Sequence, residues 1–401
     1  MYLKRLSLTN FRNFARMDVE IPEGAVLLIG DNAQGKTSFL EAIYFLATFT
    51  SFHASSDRQL INFLAGREPL AVGRIIAEYQ KDKKNYQLEM RIIQENNGIY
   101  GSRRVRKEVL LNGTKRKLNE LIGHFNAVIF LPQMLGIIEG SPSERRRYIN
   151  LTLAQVSPRY TAALSSYDKA INQRNALLKL LNERGGDLDQ LEYWDENIAS
   201  SGSILIYERI RALQEIESIA AMAHRGLTRG EEILRIDYKP AFDPIPQQPN
   251  QIAFSIPASF DRSGFSKEEI ENGLYEELQK QREKEIARGQ TTIGPHRDEI
   301  RFLANGIDLG TYGSRGQVRT TVLSLKIAEV TWMREKTGEW PVLLLDEVLA
   351  ELDPYRRSDL LAILQESDQT LLTTTDLDLF QEEFVKNSTV WVIKQGTITK
   401  S

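Results

Sequence analysis

The chain has 401 residues, 41% of them hydrophobic and 26% charged, with a net charge of −3 and no cysteine. That length exceeds what one small core needs, so a two-lobed protein is expected. Composition excludes a disulfide framework and a zinc ribbon, suits a reducing compartment, and offers no apolar run of the roughly 18–20 residues needed to span a membrane. Because the global charge is slightly negative, any contact with nucleic acid has to come from a local basic patch. Met1-Tyr2-Leu3-Lys4-Arg5 runs straight into strand-like alternation, so no secretory leader and a cytoplasmic location are expected.

Residues 1–30 predict two or three short strands: one on Leu3, Leu6, Leu8 and Phe11, one on the alternating Met17–Ile21, and a fully buried one on Ala25–Ile29 closed by Gly30. Thr37 to Phe49 carries Leu40, Ile43, Tyr44 and Ala47 at helical spacing. Strand patterns return from Ala71 to Asn112, with polar turns such as Glu95-Asn96-Asn97-Gly98. From Glu144 to Arg225 the pattern is helical, broken by Gly185-Gly186. Five prolines between Pro240 and Pro257 demand a loop or an edge connection. Helix resumes over Lys267–Lys284, and a parallel-sheet pattern is expected after Gln290. The order predicts one α/β domain, made from 1–140 and 289–401, interrupted by a mainly helical lobe at 141–288.

Gly30-Asp31-Asn32-Ala33-Gln34-Gly35-Lys36-Thr37 matches G-x-x-x-x-G-K-[ST] between the buried strand and the helix, with Ser38 next in the helix. Glycines let successive backbone N–H groups turn toward phosphate oxygens at the positive end of the helix. Lys36 would neutralise the β- and γ-phosphates, and Thr37 would offer its hydroxyl to Mg²⁺. A site for ATP-Mg²⁺ spanning Gly30 to Ser38 is therefore expected.

The last third narrows this. Pro341–Glu347 is an apolar strand ending in two carboxylates: Asp346 to hold Mg²⁺ and Glu347 to polarise the attacking water. Ser314-Arg315-Gly316-Gln317 precedes a helix and resembles the ABC signature Ser-Gly-Gly-Gln, with Arg315 in place of the first glycine. In that family the signature serine and helix N-terminus bind the γ-phosphate of an opposite subunit. Ala350-Glu351-Leu352-Asp353-Pro354 resembles the D-loop that crosses an ABC dimer interface. These likenesses imply an ABC-type P-loop ATPase head with an inserted mainly helical lobe. They also imply an ATP-dependent homodimer, in which Ser314, Gly316, Gln317 and Asp353 serve the partner's nucleotide. Gln133 stands where a Q-loop glutamine would link Mg²⁺ to the helical lobe; a surface polar residue after the Pro132 turn is the other reading. Thr375 falls at the switch position in place of histidine, which predicts slow turnover.

Over essentially its whole length the chain resembles the RecF family of bacterial recombination mediators. The residues that carry the likeness are Leu8–Phe14, Gly30–Thr37, Gly140–Arg147, Gly294–Glu299 and Arg315–Thr320. The G-S-P-x-x-R-R-R and G-P-H-R-D blocks separate it from the long coiled-coil repair and SMC ATPases. A helical lobe of about 140 residues broken by turns leaves no room for a long arm. The resemblance implies an ATP-dependent DNA-binding protein of repair and replication-fork maintenance, acting on gapped or junction DNA. With RecR and RecO it would help load RecA, near the nucleoid rather than a membrane. It also implies that Arg12 reaches the nucleotide.

Arg103, Arg104, Arg106, Lys107, Lys115, Arg116 and Lys117 flank an Asn112-Gly113 turn. They are candidate phosphate contacts, and a solvated hairpin accounts for them equally well. Arg145-Arg146-Arg147 could face DNA or pair with acidic residues of the C-terminal half, the structural role being preferred. His296 and Arg297 could serve the nucleotide or fold the lobe. A transporter-coupled ATP subunit is the competing class, and the G-P-H-R-D block, the missing switch histidine and Asn10-Phe11-Arg12 argue against it.

Overall fold

The computed structural model describes residues 1–96, 103–245 and 261–400, with the side chains of Asn96, Arg103 and Lys400 outside the description. The chain forms two compact units, Met1–Met134 with Glu329–Ser401, and Leu135–Ala328.

The first unit holds two six-stranded sheets. One runs in the order Thr397–Lys400, Thr389–Lys394, Gly24–Ile29, Gln369–Thr374, Val342–Asp346, Ala127–Phe130, parallel throughout except at the Thr397–Lys400 edge. Its inner strands Gln369–Thr374 and Val342–Asp346 are buried at every residue, as a sheet covered on both faces requires. The other sheet is antiparallel, in the order Phe14–Glu20, Tyr2–Phe11, Leu70–Lys81, Lys84–Asn96, Arg103–Leu111, Thr114–Arg116. Helix Lys36–Thr48 is buried on almost every side, so it carries no polar stripe. Its Phe39 and Phe45 share one hydrophobic core with Leu6 and Leu8 of the antiparallel sheet and with Ile129 and Leu344 of the parallel one. Two-residue turns with positive φ, Asp82-Lys83 and Asn112-Gly113, close the hairpins, and their backbone twist matches that of the strands. Asn97 and Gly98 of the expected Glu95–Gly98 turn lie outside the described residues.

The second unit contains helices Pro142–Ala154, Pro158–Arg184, Gln190–Leu227 and Lys267–Arg288. Gly185 (φ 66°) and Gly186 (φ 144°) end the second of these. Its interior includes Arg174, fully buried between Asp195 (2.6 Å) and Glu285 (2.5 Å). Residues 240–245 form no helix or strand, and the rest of the proline-rich stretch lies outside the described residues.

Two expectations change. The first strand after Gln290, Glu299–Ala304, is not part of a parallel sheet; it pairs antiparallel with Leu234–Lys239 and Ile307–Asp308 in a three-stranded sheet of the second unit. That pairing puts Glu299–Ala304 in the second unit; the units divide at 134/135 and 328/329, where 140/141 and 288/289 were expected. Helix Arg315–Thr337 runs through the later boundary.

Candidate nucleotide site

The loop Gly30–Thr37 joins the buried strand Gly24–Ile29 to helix Lys36–Thr48. Its two glycines are required for separate reasons. A Cβ at Gly30 would lie 2.4 Å from the Ile393 carbonyl oxygen, and at Gly35 (φ 113°) it would lie 2.5 Å from Asn13 Nδ2. The loop is pinned from outside. The Gln395 N–H donates to Gln34 Oε1 (2.7 Å), and Gly396 N–H and Asn13 Nδ2 both donate to the Gln34 carbonyl (3.1 and 3.3 Å). No side chain caps the helix that follows, so its first N–H groups and its positive end stay directed at the loop. Asp31, Asn32 and Ala33 form the exposed crest, with Ala33 at φ 64°.

Because Gly24–Ile29, Gln369–Thr374, Val342–Asp346 and Ala127–Phe130 run parallel, their carboxyl ends gather four motif segments along one sheet edge, the usual place for a ligand in an open α/β sheet. There Thr37 Oγ1 donates to Asp346 Oδ2 (2.8 Å) and Lys36 Nζ pairs with Glu347 Oε1 (2.8 Å). Lys36 is 4% exposed and also donates to the Gly30 carbonyl (2.6 Å). Thr373 has no role in the sequence reading, yet it ties the Asp346 carboxylate to the backbone of Glu347. Its hydroxyl donates to Asp346 Oδ1 (2.7 Å) and accepts the Glu347 N–H (3.1 Å). Glu347 itself sits at φ 53°. The Thr37 hydroxyl and Asp346 carboxylate are hard oxygen donors side by side, a set that fits Mg²⁺ shared with phosphates. Thr375 is exposed at the end of its strand. Gln133 is exposed on the turn after Ala127–Phe130, its Nε2 3.4 Å from His53 Nε2.

Arg12 is held by a residue that the sequence did not single out. Its Nε and Nη2 donate to the two carboxylate oxygens of Glu41 (2.6 and 2.7 Å), and Nη1 to the Gln59 carbonyl (3.1 Å). Glu41 is 1% exposed and also accepts from Ser51 Oγ (2.5 Å). Asp353 caps helix Pro354–Gln365, accepting from the Tyr355 and Arg356 N–H groups (both 3.1 Å) and from Arg356 Nη1 (3.0 Å). Partial desolvation raises its carboxyl, but these donors outweigh that and hold it below the usual range.

In the second unit, the signature-like residues begin helix Arg315–Thr337. Gln317 N–H donates to Ser314 Oγ (3.2 Å) while Ser314 N–H donates to Gln317 Oε1 (2.9 Å). Ser-x-x-Gln is thus a reciprocal capping box as well as a motif. Gly316 is in the first turn, where its carbonyl accepts from Thr320 Oγ1 (2.8 Å). Two other blocks are structural within this unit. Arg145 pairs with Glu299 (2.8 Å), and Arg146 donates to the Asp298 carbonyl (2.6 Å). Asp298 in turn binds the buried Arg209 (2.6 Å) and the Tyr238 hydroxyl (2.5 Å). His296 accepts from the Tyr167 hydroxyl at Nδ1 (2.7 Å), and burial pushes its ring down to about 4.

The basic hairpin is a mixed surface. Arg104, Arg116 and Lys117 are exposed, whereas Arg106 pairs with Glu108 and Glu95, and Lys115 with Glu108 (2.7 Å). The Lys115 ammonium, with Arg106, holds the Glu108 carboxyl below its ordinary range. Lys107 points to the other face, against Asp57 (3.1 Å) and the Phe45 ring. The side chain of Arg103 lies outside the described residues.

A P-loop whose lysine and threonine meet an Asp-Glu pair across a parallel sheet, with an antiparallel sheet over the loop's helix, defines an ABC-type ATPase head of the kind found in SMC proteins. The family model of the RecF/RecN/SMC N-terminal domain matches residues 2–399. The DNA replication and repair protein RecF of Chloroflexus aurantiacus is 38% identical, with 99% of each chain covered. That of Halalkalibacterium halodurans is 37% identical with 100% of each covered. The recombination mediator protein RecF of the RecFOR pathway, solved with ATP, superposes with a TM-score of 0.83 at 30% identity, covering 100% of this chain and 97% of that one. An SMC head bound to the C-terminal winged-helix domain of ScpA shares the fold alone, with a TM-score of 0.51 at 15% identity over 100% of this chain and 97% of that chain. The chain belongs to the RecF family.

Proposed function

We propose that the protein is an ATP-driven switch of DNA repair and replication-fork maintenance, in which two copies close around ATP-Mg²⁺ on gapped or junction DNA. The observation that carries this reading is the contact of Thr37 with Asp346 and of Lys36 with Glu347, each at 2.8 Å. It supports reading phosphate, metal and water chemistry onto one sheet edge. The P-loop backbone from Gly30 to Ser38 would cradle the phosphates, Thr37, Asp346 and Gln133 would hold Mg²⁺, and Glu347 would take a proton from the attacking water.

The capped helix at Ser314–Gln317 and the Asp353 turn would complete the site of the second copy, which makes ATP the bond between protomers and hydrolysis the release. The likeness to RecF proteins of the RecFOR pathway supports RecR and RecO as partners and RecA loading as the outcome. No helix among the described residues is long and apolar enough to cross a membrane.

Sedimentation of the Glu347→Gln variant in saturating ATP-Mg²⁺ tests the assembly: dimers are expected, and monomers alone would overturn it. Steady-state ATPase with and without gapped DNA tests the partner, since indifference to DNA would remove it from the mechanism.

A further inference from the structure

The signature-like turn is oriented by a polar chain, partly exposed at Gln317 and Glu232 and buried at His224 and Ser324, that the ATPase motifs do not include. Gln317 has only one workable amide orientation: its Oε1 accepts from the Ser314 N–H (2.9 Å) and its Nε2 donates to Glu232 Oε1 (2.9 Å). A carboxylate can only accept, so Glu232 decides which way the Gln317 amide points. The other oxygen of Glu232 lies 3.0 Å from His224 Nε2, and His224 is fully buried near the end of helix Gln190–Leu227. His224 Nδ1 meets Ser324 Oγ at 3.0 Å, and Ser324 Oγ lies 2.8 Å from the Thr320 carbonyl. Gln317 and Ser324 are two turns apart on one face of the same helix, so His224 and Glu232 clasp that helix at two points.

We infer that His224 and Glu232 are positioning residues for nucleotide engagement by the signature turn. They act through Gln317 on Ser314 and touch no nucleotide themselves. The inference rests on the reading that Ser314 serves the nucleotide of a second copy. With Gln317 held by Glu232, the Ser314 N–H is satisfied inside the turn and the Ser314 hydroxyl stays at the helix N-terminus, where an anion is favoured. Without Glu232 the Gln317 amide can rotate, and the turn loses its fixed orientation before any phosphate arrives.

The test uses the full-length protein and three readouts: binding of a fluorescent ATP analogue to the monomer, ATP-dependent dimerisation by sedimentation, and kcat at saturating ATP. Glu232→Ala and His224→Ala are expected to leave monomer nucleotide affinity within about twofold while lowering kcat and the dimer constant about tenfold or more, as loss of a hydrogen bond to a charged group implies. Gln317→Glu sets two carboxylates against each other and should be as severe. Combining it with Glu232→Gln restores a donor facing an acceptor and should recover most of the lost activity, which a general loss of folding would not do. If Ser314→Ala abolishes dimerisation while Glu232→Ala and His224→Ala leave kcat and dimerisation unchanged, the positioning role is wrong and the shared site stands. An exchange of Gln317 and Glu232 that recovers nothing also overturns the positioning role. Should Ser314→Ala itself have no effect, both the shared site and the inference fall.

Discussion

Lys36 Nζ stands 2.8 Å from Glu347 Oε1, so the cation that would meet the β- and γ-phosphates is held by the carboxylate that would activate water. On the proposed reading, a triphosphate would have to draw Lys36 away from Glu347 before it could bind. Glu347→Gln removes the charge from that pair. It should tighten ATP binding several-fold while slowing hydrolysis by at least about a hundredfold. Equilibrium titration with a fluorescent nucleotide and single-turnover hydrolysis measure the two effects. Unchanged or weaker binding would show that the pair does not compete with phosphate.

Thr373 should matter more than its place in a threonine run implies. Thr373→Val strips one acceptor from the Glu347 N–H and one donor from Asp346, a residue only 7% exposed. The expected cost is about 1–3 kcal/mol of stability, together with a kcat lowered about tenfold as Glu347 loses its anchor. Thr373→Ser keeps the hydroxyl and should restore most of both. Urea denaturation and steady-state ATPase of the two variants decide this, and a Val variant with wild-type kcat would show that Glu347 needs no such support.

On the hairpin, Glu95 and Glu108 already pair with Arg106 and Lys115, so among the described side chains the cations most available to phosphate are Arg104, Arg116 and Lys117. Reversing these three charges should weaken binding to gapped DNA and flatten its salt dependence, whereas Arg106→Ala alone should do little. Glu108→Gln removes one negative charge from beside two cations and should strengthen binding. DNA affinity measured across a salt series reads all three, and a triple reversal with an unchanged slope would clear the hairpin of DNA contact.

His296 makes stability depend on pH in a definite direction. Burial lowers its folded value to about 4, while an unfolded histidine titrates near ~6.5. Between those values the unfolded chain takes up a proton that the folded ring refuses, so stability falls as pH drops through that window. The loss is on the order of 3 kcal/mol at most and is complete below the folded value. Comparing urea denaturation of the wild type and His296→Gln across that range tests it. The variant keeps an acceptor for Tyr167 and should lose less stability on acidification, and parallel curves would contradict the assignment.

What the amino-acid order determined by itself was whatever is local. The G-x-x-x-x-G-K-[ST] spacing, the apolar strand ending in Asp346-Glu347 and the signature-like Ser-x-x-Gln are short because one turn of backbone must do each job, so they can be read along the chain. The Asn112-Gly113 turn was legible for the same reason.

Only tertiary structure could decide which distant group each of these meets. Thr373 reaches Asp346 because two strands 27 residues apart run parallel in register. Glu41 captures Arg12 because helix Lys36–Thr48 is buried under the antiparallel sheet. Glu299–Ala304 chose Leu234–Lys239 as its neighbour, which puts it in the second unit. The hairpin's charge was cut by Glu95, which strand register sets opposite Arg104 and near Arg106, and by Glu108, which meets Lys115 across the turn. Strand pairing and burial are settled by free energies summed over the whole chain, and no short window of sequence contains both partners.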